Sequence, residues 1–521
     1  MWGFPDRGYG TMNLLGVYIG LHDSNVALSV DGRVRYAKSE RLTGIKHHRS
    51  ALSFVREMCE RWGVTRLDGI AFSDGDRNGL GACKLGELWK KVSPVAELGS
   101  APTYCVDHHY AHILSTWPVA DTAELELGFA IDGRGDNEAR KTVIARPGAR
   151  NPELVHHNAT RSFGRLLERI GELMKLSATP GNESDLAGKV MGAQAYGEVD
   201  QDFVRSVDVE ALGERLYDFT DKVPWRGRVP IETPDFFQFD NPSFRDWLST
   251  VHALLAAHTQ AHFARFARPD MAIAYAGGCA QNVVINQELF LRYPRLVVPP
   301  HGYDGGLSLG CLELLRIQLG LPRFSTEGFP YWQEDDCEDA PTESTIAQAV
   351  ELLAQGKIVG WFQGRGEVGP RALGNRSIFM DPRQHDGKDR LNFRVKHRET
   401  WRPYGATVLL ERTPEWFDLA EESRYMLRSV PTRPERQREI PAIVHQDGTC
   451  RVQTVGRDAP TSARRLVERF QQHTGLPMLL NTSLNAGGSP IFATRAQCRD
   501  FFAAVDMDAL FMGNEVLVRQ G

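Results

Sequence analysis

The run Leu14-Leu15-Gly16-Val17-Tyr18-Ile19-Gly20 says more about the fold than any other segment of the chain. A short, unbroken apolar run bounded by glycine reads as a buried strand. Leu21-His22-Asp23-Ser24 follows it. Alternating residues from Val26 to Val30, the turn Asp31-Gly32 and a further strand from Val34 to Ala37 then read as a β-hairpin. The same pattern starts again at Leu125. Leu127-Gly128-Phe129-Ala130-Ile131 is an apolar strand that ends in Asp132-Gly133-Arg134-Gly135-Asp136. A third strand, Leu296 to Pro300, runs into His301-Gly302-Tyr303-Asp304-Gly305-Gly306. Helical stretches (Leu52–Trp62, Arg161–Leu176 and Phe244–Ala267) alternate with these strands, so the expected fold class is α/β. No short-period repeat is visible, and the two halves share only the strand-into-Asp pattern.

A chain of 521 residues has material for two or three domains. Around Gly320–Pro341 the pattern breaks into Pro-rich and acidic sequence, read here as a linker. Beyond it Thr345–Gln355 reads as a helix and Ile358–Gln363 as a strand. The formal net charge of −5 gives no electrostatic reason to expect nucleic-acid binding. No apolar run reaches the roughly 18 residues of a membrane span, and the first residues lack a signal-peptide pattern. Met12 is an alternative start to Met1, because the first strand begins just after it. The eight cysteines are scattered without a CxxC pair, which favours reduced core thiols in a cytoplasmic protein. Cys279, in a glycine-rich turn, is read as packing in preference to a nucleophile.

His108 and His112 stand four residues apart. On a helix that spacing places both imidazoles on one face, about 5.4 Å apart along the axis, where they can converge on one divalent metal. Tyr110-Ala111 lies between them and no Glu follows either His108 or His109. The hydrolytic base of a zinc protease is therefore missing, and a metal that holds or polarises a substrate fits better. HxxxH pairs also arise by chance. The strand-into-Asp turns strengthen the reading, because strands of α/β folds deliver ligands at their carboxyl ends. His108, His112, Asp132 and Asp304 would make a mixed nitrogen and oxygen site suited to iron, zinc or manganese.

Further along, Gly364 to Ser377 and Lys396 to Tyr404 interleave glycines with Arg371, Arg376, Lys396, Arg398 and Arg402. Glycines admit a ligand close to the backbone, and the cations suit phosphate or carboxylate oxygens. The plainer alternative is a solvated surface. Against it, the arginines are set among Pro, Leu and aromatic residues and do not form a charge run. A phosphate-bearing small molecule is the expected partner, with nucleic acid as the runner-up. The strand Leu479–Asn485 ends in Asn481, Ser483 and Asn485, whose amides and hydroxyl can bond a nucleotide or an acyl phosphate. Asn-Thr-Ser is equally an ordinary turn.

The strand-turn-strand opening resembles the actin/Hsp70/sugar-kinase superfamily. Nine segments, taken in order, resemble the NodU/CmcH O-carbamoyltransferase family, which includes antibiotic-tailoring enzymes. They include Gly20-Leu21-His22-Asp23-Ser24, the His108/His112 pair, Asp132-Gly133, Gly188–Gly197, Gly277–Asn282, Asp304-Gly305-Gly306, Gly369–Ser377, His445–Val455 and Asn481–Asn485. Cys279 and Leu484 depart from residues common in relatives, and Gly133-Arg134-Gly135-Asp136 is more charged than expected. The resemblance implies an actin-like N-terminal domain (residues 12–330) with a metal site. It also implies a YrdC-like C-terminal domain (residues 342–521) that forms carbamoyl-adenylate.

The implied activity is ATP-dependent O-carbamoyl transfer from carbamoyl phosphate to a hydroxyl of a small-molecule acceptor in secondary metabolism. The alternative is a threonylcarbamoyl transferase acting on tRNA. The implied metal is iron (Fe2+), with Zn2+ or Mn2+ as alternatives and Mg2+ accompanying ATP. His22 is the implied general base. Lys189, Gly277, Gly278 and Asn282 are the implied nucleotide contacts of the first domain. Arg371, Arg376, Lys396, Arg398, Arg402, Asn481, Ser483 and Asn485 are the implied carbamoyl phosphate and ATP contacts of the second. Neither nucleic acid nor membrane is expected as a partner, and the sequence leaves acceptor and oligomeric state open.

Overall fold

A computed structural model describes residues 12–20, 22–74, 80–133, 135–136, 140–158, 164–176, 184–209 and 225–519. Leu21, Arg134 and residues 161–163 of the expected helical stretch Arg161–Leu176 lie outside the described residues. The chain forms two compact units. One comprises Met1–Thr160, Pro269–Ala280 and Tyr293–Glu334; the other comprises Arg161–Arg268, Gln281–Arg292 and Asp335–Gly521.

The first unit carries two sheets. In the first, β1 (Asn13–Tyr18), β2 (Asn25–Val30), β3 (Arg33–Lys38), β4 (Gly69–Ser73), β5 (Trp89–Val92) and β6 (Thr103–Val106) lie in the order β3-β2-β1-β4-β6-β5. The hairpin β1-β2-β3 is antiparallel, and β4 and β6 continue it in parallel. The second sheet contains β7 (Leu127–Ile131), β8 (Lys141–Ala145), β9 (Glu153–Asn158), β10 (Ile273–Ala276) and β11 (Leu296–Val297) in the order β11-β10-β7-β8-β9. Here too the first three strands are antiparallel and the last two are added in parallel to the first. The same five-strand pattern thus occurs twice, and β5 adds an antiparallel edge to the first sheet. β11 is shorter than the Leu296–Pro300 strand expected, because Pro299 and Pro300 cannot donate to a ladder.

β1 and β7 were legible because they are almost wholly buried. Phe54, Val55, Met58 and Cys59 of the helix Leu52–Arg61 repeat at helical spacing and cover the β1 and β2 side chains Leu15, Val17, Val26 and Leu28. The helix Leu307–Leu319, which follows β11, packs against β1 and against the helix His108–Leu114, which follows β6. Two glycines permit that closeness. A Cβ on Gly310 would stand 1.9 Å from the Ala111 carbonyl oxygen, and one on Gly16 would stand 2.0 Å from that of Ser308.

The second unit is an α/β body around one mixed sheet. Its strands are β12 (Val359–Phe362), β13 (Arg376–Met380), β14 (Gly405–Leu409), β15 (Ser429–Pro431), β16 (Thr449–Val455), β17 (Met478–Ser483), β18 (Ala509–Met512) and β19 (Glu515–Val518). They lie in the order β15-β16-β14-β17-β13-β12-β18-β19. The helix Ala463–Thr474 buries Leu466, Val467 and Phe470 in the core of this unit and stops at Gly475, where φ is 81°.

The expected linker is not a loose tether. Phe329, Tyr331 and Trp332 are buried, and Trp332 stacks on Trp117 with ring centroids 5.6 Å apart. The aromatic residues of that stretch outweigh its prolines and acids. The units divide at Glu334/Asp335, but residues 161–268 and 281–292, assigned from sequence to the first domain, belong to the second unit. Among the described residues no helix is long and apolar enough to cross a membrane.

Candidate metal centre and active site

The duplicated topology builds the first site. The carboxyl ends of the two first strands carry the His22-Asp23 turn (after β1) and Asp132 (after β7). The ends of the two last strands carry His108 and His112 (after β6) and Asp304 (after β11). Asp107 caps the His108–Leu114 helix, its Oδ1 accepting from the Tyr110 N–H at 2.9 Å, so the first histidine starts the helix and the second follows one turn on. The two Nε2 atoms are 3.1 Å apart. Asp132 Oδ2 lies 3.0 Å from His108 Nε2 and 2.9 Å from His112 Nε2, and Asp304 Oδ1 lies 3.5 and 3.3 Å from the same atoms.

Those separations test whether a cation fits. Ligands about 2.1 Å from a central ion are about 3.4 Å apart in a tetrahedron, and neighbouring ones about 3.0 Å apart in an octahedron. The observed 2.9–3.5 Å falls in that range. The supporting contacts agree. Asp132 turns its other oxygen, Oδ1, to the N–H groups of Gly133 (2.7 Å) and Gly278 (3.1 Å), and Asp304 Oδ2 accepts from the Tyr18 hydroxyl at 2.6 Å. Each carboxylate is thus anchored by one oxygen and presents the other to the histidines. Burial opposes charge on all four groups. The carboxylates nevertheless raise the pKa of both histidines, and the histidines hold both carboxylates low. The cluster is built for positive charge at its centre.

His22 adjoins this centre, its Nδ1 3.7 Å from Asp304 Oδ2. Nδ1 donates to Asp23 Oδ2 at 2.7 Å, and 29 % of the side chain is exposed. The free edge of the ring, Nε2, is thereby left to accept a proton. Burial lowers the pKa of His22, but the Asp23 bond and the Asp304 charge outweigh it and leave it raised.

The second unit gathers a different chemistry. A wide π-helical turn, Leu391–Lys396, ends where His397 takes a left-handed backbone (φ 44°). It delivers Lys396 Nζ to the Ser483 carbonyl (2.7 Å), the Asn485 carbonyl (2.9 Å) and Asn485 Oδ1 (2.7 Å) at the end of β17. Arg451, on β16, is partly buried beside Arg371, Arg398 and Arg402. Burial and these neighbouring guanidiniums push its pKa well below the usual arginine range. Its buried Nε has no hydrogen-bond partner among the described residues. Arg451 also lines a cavity of roughly 580 Å3, part of it open to solvent, together with Trp401, Tyr404, Val284, Met191 and Lys388.

Residues 350–519 match the family described as "Carbamoyltransferase C-terminus". Nodulation protein NolO of Bradyrhizobium diazoefficiens is 30% identical over 443 residues, which cover 78% of this chain and 78% of that protein. Nodulation protein U of Rhizobium tropici is 30% identical over 75% of this chain and 71% of its own length. The chain belongs to the NodU/CmcH carbamoyltransferase family. Among solved structures, full-length HypF in its phosphate- and nucleotide-bound form matches 60% of this carbamoyltransferase and 47% of its own chain at 13% identity, with a TM-score of 0.38. The activator of 2-hydroxyisocaproyl-CoA dehydratase from Clostridium difficile matches at 11% identity, covering 60% of this chain and 100% of that one, with a TM-score of 0.36. Scores this low carry no argument, and the fold rests on the strand orders above.

Not every expected site residue of the carbamoyltransferase reaches a site. Arg376 is fully buried, paired with Asp335 at 3.0 Å. It is bonded to the carbonyls of Gln363, Asp336 and Gly364 and lies over the Phe362 ring, so its guanidinium is internal structure and not a ligand contact. Asn481 is equally internal, its amide donating to Thr407 Oγ1 at 2.8 Å. The four nucleotide contacts assigned to the first domain are divided between the units. Gly278 anchors Asp132, and Gly277 takes φ 93° where a Cβ would stand 2.2 Å from the Ile131 oxygen. Asn282 caps the helix Val283–Arg292, its Oδ1 accepting from Val284 and Ile285 N–H at 3.2 Å each. Lys189 Nζ pairs with Glu399 Oε1 at 3.2 Å, and Arg402 bonds the other Glu399 oxygen at 3.4 Å. Cys279 is partly buried and in no disulfide among the described residues. Sequence reasoning missed Arg451, whose signal was a lone arginine inside the apolar strand Cys450-Arg451-Val452.

Proposed function

We propose that the chain is an ATP-dependent O-carbamoyltransferase that moves the carbamoyl group of carbamoyl phosphate, through carbamoyl-adenylate, to a hydroxyl of a small-molecule natural product. The observation that carries this reading is the buried His108/His112/Asp132/Asp304 centre with the Asp23-bound imidazole of His22 beside it.

In the second, YrdC-like unit, Lys396 with Ser483 and Asn485 would hold carbamoyl phosphate. Arg371, Arg398, Arg402 and Arg451 would spread their charge over phosphate oxygens. The Trp401 and Tyr404 rings that line the cavity would take the adenosine. Carbamoyl phosphate, ATP and one water then give carbamoyl-adenylate, pyrophosphate and inorganic phosphate. In the first unit, His108, His112, Asp132 and Asp304 would hold a divalent ion, iron by the family resemblance, whose chemistry there is Lewis-acid polarisation of an oxygen. His22 Nε2 takes the proton of the acceptor hydroxyl, Asp23 holds the ring in the tautomer that allows this, and Tyr18 fixes Asp304. The acceptor oxygen bonds to the carbamoyl carbon as AMP departs.

Pyrophosphate release from ATP with carbamoyl phosphate, and AMP release on adding a panel of hydroxyl acceptors with products followed by mass, tests the reading. Expected are pyrophosphate only when carbamoyl phosphate is present and a carbamoylated product with AMP. No pyrophosphate under any condition would overturn it.

A further inference from the structure

We propose that His47 is a positioning residue that braces Asp23 and through it the imidazole of His22. Asp23 is 1 % exposed and takes φ 57°, and His47 takes φ 55°. Non-glycine residues seldom adopt this left-handed backbone, and where they do the surrounding structure holds them there. Here two such residues meet through their side chains. Asp23 Oδ2 accepts from His22 Nδ1 at 2.7 Å and from His47 Nδ1 at 2.9 Å. The other oxygen, Oδ1, forms an ion pair with Lys38 Nζ at 2.6 Å, and Lys38 is shared with Glu40 at 2.8 Å and the Tyr303 hydroxyl at 2.7 Å. The His47 backbone N–H is itself tied to Glu40 Oε2 at 2.8 Å. The carboxylate is therefore gripped from three directions, and His22 hangs from it.

The donor atoms of His22, Asp23 and His47 also lie close enough together to ligate a second metal ion. The Lys38 ammonium argues against that. It already neutralises the only carboxylate of the trio from the opposite oxygen, and a second cation would be added to a site that carries its positive charge. A hydrogen-bonded brace uses the same atoms without that repulsion. Both imidazoles then keep the proton on Nδ1, and His22 Nε2 has the lone pair that the transfer step needs.

The inference rests on the reading of His22 as base. In that step the hydroxyl O–H breaks, its oxygen bonds to the carbamoyl carbon, and the bond from that carbon to the adenylate oxygen breaks with its electron pair. The proton stays on His22 Nε2 until solvent takes it.

The test compares the full-length wild type with His47→Ala and His47→Asn, whose amide reproduces the Nδ1–H donor. In His47→Ala, kcat for transfer should fall about 10- to 100-fold, the usual cost of losing a supporting contact. Acceptor KM, pyrophosphate formation and metal content per chain should stay as in the wild type. His47→Asn should recover most of the loss. Nitrogen-15 spectra of histidine-labelled protein should show His22 protonated at Nδ1 in the wild type and His47→Asn, and a tautomer mixture in His47→Ala. Three results would each overturn the brace: loss of one metal per chain in His47→Ala, transfer within two-fold of wild type, or His47→Asn no better than alanine. Wild-type protein that makes pyrophosphate but carbamoylates no hydroxyl would sink the role of His22 as base. The tautomer spectra would still decide the brace.

Discussion

Gly310→Ala tests the claim that one close helix crossing sets the proposed metal centre. The added Cβ would stand 1.9 Å from the Ala111 carbonyl oxygen, where real Cβ atoms essentially never come within 3.0 Å. The obstacle is backbone, so no side-chain rotation relieves it, and the helices Leu307–Leu319 and His108–Leu114 must part by about 1 Å. Overpacking of this kind costs about 1–3 kcal/mol, and a body of this size loses about 2–4 °C in Tm per kcal/mol. The local effect should be larger than the global one. Ala111 stands beside His112, and Asp304 precedes the second helix by three residues. Metal sites tolerate ligand displacements of about 0.2 Å. The variant should therefore melt a few degrees lower yet lose most of its metal, as read by elemental analysis after dialysis and by calorimetric titration of the metal. Wild-type metal affinity together with a lowered Tm would show that the quartet does not depend on this crossing. An unchanged Tm would refute the packing argument itself.

Arg376→Met should destabilise the protein by about 3–5 kcal/mol, because Asp335 is left as a buried charge without its partner. Asp335→Asn added to it should recover part of that loss, and denaturant melts of both variants decide it. Burial, the chief cause, pushes the pKa of His252 and His445 down to about 4. Their unfolded forms protonate near pH 6.5, so between pH 6.5 and 4 the unfolded state binds more protons. Each histidine then removes about 1.4 kcal/mol of stability per pH unit as pH falls. Tm of the wild type should drop across that window, and His252→Gln should flatten the slope; equal slopes would contradict it. Val284→Trp, which fills the cavity beside Arg451, should weaken ATP binding at least about ten-fold by calorimetry, a loss of about 1.4 kcal/mol. Carbamoyl phosphate binding should be unchanged in that variant, and equal loss of both ligands would place the nucleoside elsewhere.

Legibility followed the range of the interactions involved. The strand Leu127–Ile131, the β1-β2-β3 hairpin and the helix spacing of His108 and His112 were readable because each is governed by neighbours within a turn or a pleat. Asp132 was readable because a strand that ends in Asp-Gly delivers its carboxylate at the strand's end, and Asp304 because its Asp-Gly-Gly turn closes the loop after β11. Arg376 was misjudged for the opposite reason: its partner Asp335 stands 41 residues away, and a cation among loop glycines looks the same in sequence whether it faces ligand or core. His47 was passed over because nothing local distinguishes a histidine that meets its partners only after folding.

The amino-acid sequence by itself determined the α/β class, the His108/His112/Asp132/Asp304 cluster and the family, since these rest on short-range periodicity and on motifs kept in order. Only the tertiary structure decided that residues 161–268 and 281–292 belong with the second unit, that Arg376 is a core residue, and that Asp23 joins His22 to His47. Each of those outcomes depends on which distant group reaches a buried charge first, and burial sets the cost of leaving that charge unmatched.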